Sequence, residues 1–575
     1  MKNLFLIINN LSLRNSFLVI ILLGFLVYSN SLFNSFAADD YPVIFNNTFV
    51  HSAEIYKFFN HGTFDDEGTG NANNYYKPLF PATLSILWVL GNGQPFLFHL
   101  FQISLHVVNS LLVFLLLKRF FKKPLALFLS LLFLIHPMNV EAVSYASAIQ
   151  DVLFLFFGLF ALYIFIKRQE KKYTKYFTGI LILFSLLSKE TGIIFLIIIP
   201  LYALFFSPKK IKESVLISTS VFLLYVFLRF GVAHIFFNEL KSTPIMTLSL
   251  PERLLSIPKI IFFYIKTFLF PVRLIMFQDW TVRRISLQDL FIPISIDLFF
   301  AGTLVIIGRK LYKHNEKFKI FLFFCLWFLV GIGIHLQIIP LDQTVSDRWF
   351  YFPMIGLLGI MGISFSSFKS LEKKNLQPVI IFFCFLLLTF LSARTFIRSF
   401  DWRSDSILIK HDAKLNPDSY QIQDSLGAIY YRENNLPDSE KHYTYSSKLF
   451  PTGLTYANLG YFYFLTGRKE KALDAFTTSL SLGGHYRTYY NLSILLYSLK
   501  KPQESLKVSS EGIKKYPNYS ALWIAKALAE KALGNHTAAL EAAEKAVELD
   551  PTESNSNILN AIENNKKIEI TSSPD

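Results

Sequence analysis

Up to residue 398 the chain is a succession of about eleven apolar runs, many near bilayer-crossing length, whereas residues 399–575 hold no run of that kind. Backbone placed in hydrocarbon must satisfy its own hydrogen bonds, so such runs fold as helices. The expected fold class is all-α: a polytopic membrane helix bundle over 1–398, then a water-soluble domain over 399–575. Composition agrees, since 52% hydrophobic residues and 61 Phe lie far from soluble-globular usage.

The net charge of +15 raises the question of a nucleic-acid partner. The basic residues, however, gather in short clusters between apolar runs, which makes them topology signals, and no nucleic-acid partner is expected. Lys2 and Arg14 precede the first run, 16–33. Lys118, Arg119, Lys122 and Lys123 follow the run at 95–117, and Lys167, Arg168, Lys171, Lys172 and Lys175 separate 150–166 from 176–188. Further clusters lie at Lys209, Lys210 and Lys212, at Arg309, Lys310, Lys313, Lys317 and Lys319, and at Lys369, Lys373 and Lys374. If each is cytoplasmic, alternation puts Asp39 and Asp40, HPMNVEA (136–142), SKET (188–191), DRWFYFP (347–353) and the C-terminal domain on the extracytoplasmic side. The count is about eleven spans. Residues 78–91 and 257–271 are short or flanked by Pro and are expected to re-enter or lie in the interface. The first run is long for a signal-peptide core and is read as retained. Compact loops and abundant Lys, Asn, Ile and Phe suggest a bacterial inner membrane, with a eukaryotic endoplasmic reticulum as the other reading.

The polar domain repeats itself. Ser439, Ala472, Ser505 and Ala539 stand 33, 33 and 34 residues apart, each five positions after a turn-type residue (Asn434, Gly467, Lys500, Gly534), and Pro451, Pro517 and Pro551 punctuate the ends. LGAIYY (426–431), LGYFYF (459–464) and LSILLY (492–497) supply first helices. This resembles about four tetratricopeptide repeats, paired helices stacked as an α-solenoid around small residues. Such a solenoid is expected to hold a protein or peptide partner.

Ionisable residues beside apolar runs are the candidates for chemistry. Arg348 heads a run next to Trp349, Phe350 and Tyr351; a guanidinium there either chelates phosphate with two donors or anchors the interface. Lys189 is a second such cation, with Glu190 as its expected ion-pair partner. His136 and Glu141 follow the end of a run stopped by Pro137, and His99 and His106 share one helix face, where packing or interhelical hydrogen bonding is expected. Cys325 and Cys384 lie inside apolar runs and support neither a disulfide nor a thiolate site. No phosphate loop, HExxH or metal-spaced His/Cys cluster occurs.

Taken in order, NSFAADDYPVIFNNTFV (34–50), YYKPLFPATLSILWVL (75–90), FHLFQISLHVVNSLLVFLL (98–116), HPMNVEAVSYASAIQD (136–151), SLLSKETG (185–192) and DRWFYFPMIG (347–356) resemble the transmembrane and tetratricopeptide-repeat O-mannosyltransferases of the GT-C class. The resemblance covers nearly the whole chain. It implies an enzyme that takes a sugar from a polyprenyl-phosphate carrier to an extracytoplasmic hydroxyl, with no cofactor beyond the lipid-linked donor and no resident metal. Asp39 and Asp40 would supply the base, Asp39 being favoured, and the other reading is a pair of solvated loop carboxylates. Donor phosphate and substrate contacts would come from Arg348, Lys189, His136, Glu141, Glu190, Asp151 and Tyr351. One departure stands out: the family pattern has a basic residue before Asp151, where this chain has Gln150. Two other functions stay open, a GT-C enzyme acting on a glycolipid or surface polysaccharide and a non-enzymatic membrane anchor displaying a repeat scaffold.

Overall fold

A computed structural model describes residues 11–60, 62–63, 75–167, 173–237, 243–367, 376–566 and 568. Lys2, Arg168, Lys171, Lys172, Lys369, Lys373 and Lys374 of the basic clusters lie outside the described residues. The described residues are helical throughout, with turns between, and form two compact units. The first runs to Leu415 and the second begins at Asn416, so the helices Gln377–Asp401 and Asp405–Leu415 both fall in the first, later than the boundary expected at 398.

Among the described residues of the first unit, five helices are long and apolar enough to cross a bilayer: Pro95–Leu117, Ala146–Lys167, Pro208–Val232, Leu287–Tyr312 and Gln377–Asp401. Lys123–Ile135 and Pro137–Ser144 make a sixth if counted together, bent by 48°. That is short of the expected eleven. Several apolar runs fold into helices too short for the purpose; Leu79–Leu90 has 12 residues and Thr174–Ser188 has 15. At about 1.5 Å per residue these extend roughly 18 and 22 Å, against about 30 Å of hydrocarbon. Segment 257–271 belongs mostly to the 20-residue helix Leu250–Leu269, which holds Glu252, Arg253, Lys259 and Lys266. The bend has a chemical cause: Pro137 cannot donate to the preceding turn, the helix ends at Ile135, and His136 turns extended.

The second unit is a run of helix pairs: Tyr420–Arg432 with Leu436–Leu449, Gly453–Leu465 with Lys469–Ser481, Tyr486–Ser498 with Pro502–Lys515, and Ser520–Ala532 with His536–Leu549, then Glu553–Glu563. Each pair closes around the small residue singled out by spacing, and Ser439, Ala472, Ser505 and Ala539 are all fully buried. The two serines solve the same problem identically, Ser439 Oγ donating to Gly427 O and Ser505 Oγ to Ser493 O, both at 2.8 Å. Close approach also requires Gly427 and Gly460, where a Cβ would sit 2.7 Å from the Tyr443 ring and 2.6 Å from the Phe476 ring. The four turn residues share one backbone state, with φ of 59° at Asn434, 74° at Gly467, 59° at Lys500 and 85° at Gly534. A left-handed residue is how a helix commonly ends. Lys500 bears the Cβ penalty that Gly467 and Gly534 avoid, so Lys500→Gly is expected to stabilise this unit by about 0.5–1 kcal/mol, read as a raised Tm.

Candidate functional site

The acidic pair sits on a short loop tied down on both sides. Asn34 Nδ2 donates to Ser399 O at 3.2 Å and Ser35 N to Arg403 O at 3.0 Å. Ala38, with φ of 50°, occupies a region costly for a residue with a Cβ and turns the chain sharply before Asp39. The two carboxylates then diverge. Asp40 is buried, and both its oxygens are in use: Oδ1 accepts from Ser147 N at 2.7 Å and Ser147 Oγ at 2.6 Å, while Oδ2 accepts from Ala37 N at 3.0 Å. Burial raises its carboxyl to about 7 against those three donors, and the Asp39 charge adds to the rise.

Asp39 is exposed, yet protein surrounds it closely enough for desolvation to raise its carboxyl. The side chain is thus open to solvent on one side and packed against protein on the other. The Tyr145 hydroxyl and Arg348 act in the opposite sense and favour its ionised form, while Asp342 and Asp405 oppose it. Tyr145 is buried and its hydroxyl makes no formed hydrogen bond, so its orientation toward Asp39 is close but loose.

Three ion pairs, each with one buried partner, lie in this unit, and Arg348, which acts on Asp39, belongs to one of them. Arg348 Nη1 donates to Glu141 Oε1 at 2.8 Å, Ser346 Oγ donates to the same oxygen at 2.7 Å, and Arg348 N reaches Oε2 at 3.3 Å. The Arg348 guanidinium also stands 5.7 Å from the centre of the Tyr145 ring. Lys189 Nζ lies 2.5 Å from Asp151 Oδ1. Glu190 pairs with Arg229 and accepts from Tyr76 N at 2.9 Å. The expected Lys189–Glu190 pair is therefore corrected. Lys189 is extended, with φ of −157°, and Glu190 opens the next helical turn, so consecutive side chains leave on opposite sides. Beside them, Lys77 Nζ donates to Gln150 Oε1 at 2.9 Å, which brings an ammonium to the position that departs from the family pattern. Burial lowers the Lys77 ammonium to about 8, with Glu190, Asp342 and Asp151 opposing and Lys189 reinforcing the fall.

Two expected contacts are occupied elsewhere. His136 Nε2 bonds Phe268 O at 3.0 Å, its Nδ1 accepts from Met138 N at 3.3 Å, and its ring stacks on Phe268, so neither nitrogen is left for a substrate. Tyr351 is fully buried and its hydroxyl contacts His106 Nδ1 at 2.6 Å and Asn109 Nδ2 at 3.2 Å, a buried core network. His106 thus bonds between helices, reaching Leu134 O as well at 2.9 Å. No group of three or more His, Cys, Asp or Glu suited to a metal ion occurs among the described residues.

Several residues here escaped sequence reasoning. Arg229 had a signal, being a lone charge inside an apolar run. Lys77 had a weaker one, a cation between two tyrosines and a proline. Tyr145, Ser346 and Asp342 had none, because their place follows from the chain's path. Asp347, beside Arg348, is buried with one oxygen lacking a hydrogen bond, and burial together with Glu141 pushes its carboxyl well up.

The fold and site define a polytopic membrane protein with a tetratricopeptide-repeat tail. The family model described as dolichyl-phosphate-mannose-protein mannosyltransferase matches residues 77–231, and a tetratricopeptide-repeat model matches 455–482 and 520–553. The chain resembles the transmembrane and tetratricopeptide-repeat O-mannosyltransferases over most of its length. It is 22% identical to the human protein O-mannosyl-transferase TMTC3 over 91% of this chain, and 24% identical to the Caenorhabditis elegans protein O-mannosyl-transferase F38B6.6 over 76% of it. Human protein O-mannosyl-transferase TMTC1 is 35% identical over 22% of this chain and 15% of its own length. The chain spans 63% of the length of TMTC3 and of F38B6.6.

Proposed function

We propose that this protein is a membrane glycosyltransferase of GT-C type that moves a sugar, mannose on the relatives' names, from a polyprenyl-phosphate carrier to a hydroxyl of an extracytoplasmic protein. The observation that carries the reading is Asp39, a carboxylate that is exposed, partly desolvated by the protein packed against it, and within electrostatic reach of the Arg348 guanidinium. The acceptor oxygen attacks the anomeric carbon, the bond from that carbon to the phosphate oxygen breaks, and the acceptor proton passes to Asp39. A carboxyl raised above its ordinary value is the better base near neutrality. Arg348, Lys189 and Lys77 supply positive charge for the departing phosphate. Asp40 holds the loop through Ser147 and Ala37 and so aims its neighbour. The repeats would recruit the polypeptide acceptor, and the carrier in a bacterial inner membrane would be an undecaprenyl-type phosphate.

The test supplies the purified chain in sealed vesicles with labelled polyprenyl-phosphate sugars and protein acceptors on either face. Transfer from the mannosyl donor, on the face corresponding to the cell exterior, is the expected result. Absence of transfer from every donor overturns the reading.

A further inference from the structure

The loop that carries Asp39 hangs by four hydrogen bonds from the chain around the end of the helix Gln377–Asp401. Asn30 Nδ2 donates to Phe396 O at 3.0 Å, Asn34 Nδ2 to Ser399 O at 3.2 Å, Ser35 N to Arg403 O at 3.0 Å and Ala38 N to Asp405 Oδ1 at 3.3 Å. The first three end on backbone carbonyls, which every residue type supplies. The fourth needs a side chain. It ends on the half-buried Asp405, the first residue of the helix Asp405–Leu415, and begins at Ala38, whose left-handed backbone turns the chain just before Asp39. A neutral amide oxygen could also accept from Ala38 N. What the carboxylate adds is charge. Asp405 and Asp342 are the two acids that favour the protonated form of Asp39, while the Tyr145 hydroxyl and Arg348 favour the ionised one. Asp40, next in sequence, is turned away onto Ser147 and Ala37.

We propose that Asp405 is a positioning residue for Asp39: its carboxylate fixes the Ala38 turn and sets a negative charge beside the base. The proposal rests on the glycosyltransferase reading for the reaction that Asp39 serves. The hydrogen bond limits the directions open to Asp39 before the acceptor arrives, and a reacting group displaced by about 1 Å can lose about 100-fold in rate. The charge makes proton uptake by Asp39 easier, because neighbouring carboxylates repel and protonation of one relieves the repulsion. A stronger base draws more of the acceptor proton to itself in the transition state. The counterpart appears on the acid side, where Asp39 protonates sooner and the base is lost. Asp405 acts through Asp39 and passes no proton itself.

The test titrates Asp39 in the full chain in nanodiscs with dicyclohexylcarbodiimide, which attacks protonated carboxyls, and reads modification at Asp39 by peptide mass spectrometry across pH. Asp405→Asn keeps an acceptor for Ala38 N and drops the charge, so the midpoint of Asp39 labelling is expected to move to lower pH. Asp405→Glu keeps the charge and is expected to leave the midpoint near the wild type. In a transfer assay Asp405→Asn moves the acidic limb of kcat the same way. Asp405→Ala loses both acceptor and charge and is expected to lower kcat about 10- to 100-fold with KM nearly unchanged. Because the three carbonyl tethers remain, Tm stays close to the wild type in all three variants. An unchanged midpoint in Asp405→Asn, or an equal shift in Asp405→Glu, overturns the proposal. Labelling needs no transfer, so the two readings fail separately. A midpoint that depends on Asp405 without transfer of any sugar sinks the enzyme alone; transfer with a midpoint indifferent to Asp405 sinks the positioning role alone.

Discussion

Asp39→Asn is expected to lower kcat about 100- to 10,000-fold, the range a positioned general base contributes, with donor binding and Tm close to wild type. The selectivity follows from how the two adjacent acids are used. Asp39 is exposed and its side-chain neighbour is the Tyr145 hydroxyl, outside the loop, so the amide removes basicity and little of the loop's support. Asp40→Asn presents the contrary pattern. Its three accepted hydrogen bonds hold Ser147 and Ala37, so a lowered Tm is expected together with any loss of transfer. The base must be ionised, and desolvation raises its carboxyl; transfer is therefore lost on acidification at a pH above the ordinary aspartate value of about 4. Full activity of Asp39→Asn removes the base assignment.

Glu141→Ala is expected to destabilise the membrane unit by about 3–5 kcal/mol, seen as a large fall in Tm of the detergent-solubilised chain. Glu141 is buried and its two oxygens serve the Arg348 guanidinium, the Arg348 backbone amide and the Ser346 hydroxyl. Taking the carboxylate away strands a guanidinium whose side chain is only 11% exposed. Glu54→Ala provides the comparison. Glu54 and Lys57 are both half-exposed, and removing that pair is expected to leave the Tm nearly unchanged because solvent already screens it. A Tm for Glu141→Ala within error of the wild type would mean that the Arg348 pair does not hold this unit together.

The repeat half of the fold was readable because its determinants are local. A buried small residue every 33 or 34 positions, and a left-handed turn five residues before it, are properties of short segments, and all four turn residues adopt that backbone state. Lys500 shows that spacing was the better guide there, since residue type alone would not mark it as a turn. The membrane half was readable only as apolar runs. Hydropathy says that a segment is apolar, and helix length is decided by where prolines, polar caps and neighbouring chain interrupt it, as at His136–Pro137. The same limit applied to site residues. Tyr351 and His136 look available in the sequence beside Arg348 and Glu141, but the structure gives their polar atoms to His106, Asn109, Phe268 and Met138.

What the sequence by itself determined is the division into an apolar, helix-forming half and a repeating polar half, and the presence of ionisable residues at the ends of apolar runs; periodicity and hydropathy act over short stretches and survive without a fold. Only the tertiary structure decided partnership. It set Lys189 on Asp151, Glu190 on Arg229, Glu141 on Arg348 and Lys77 on Gln150, and it turned Asp40 inward while Asp39 stayed exposed. Neighbours in sequence diverge when the backbone between them is extended or strained, and charges far apart in sequence are brought together because a buried charge is tolerated only beside its counter-charge.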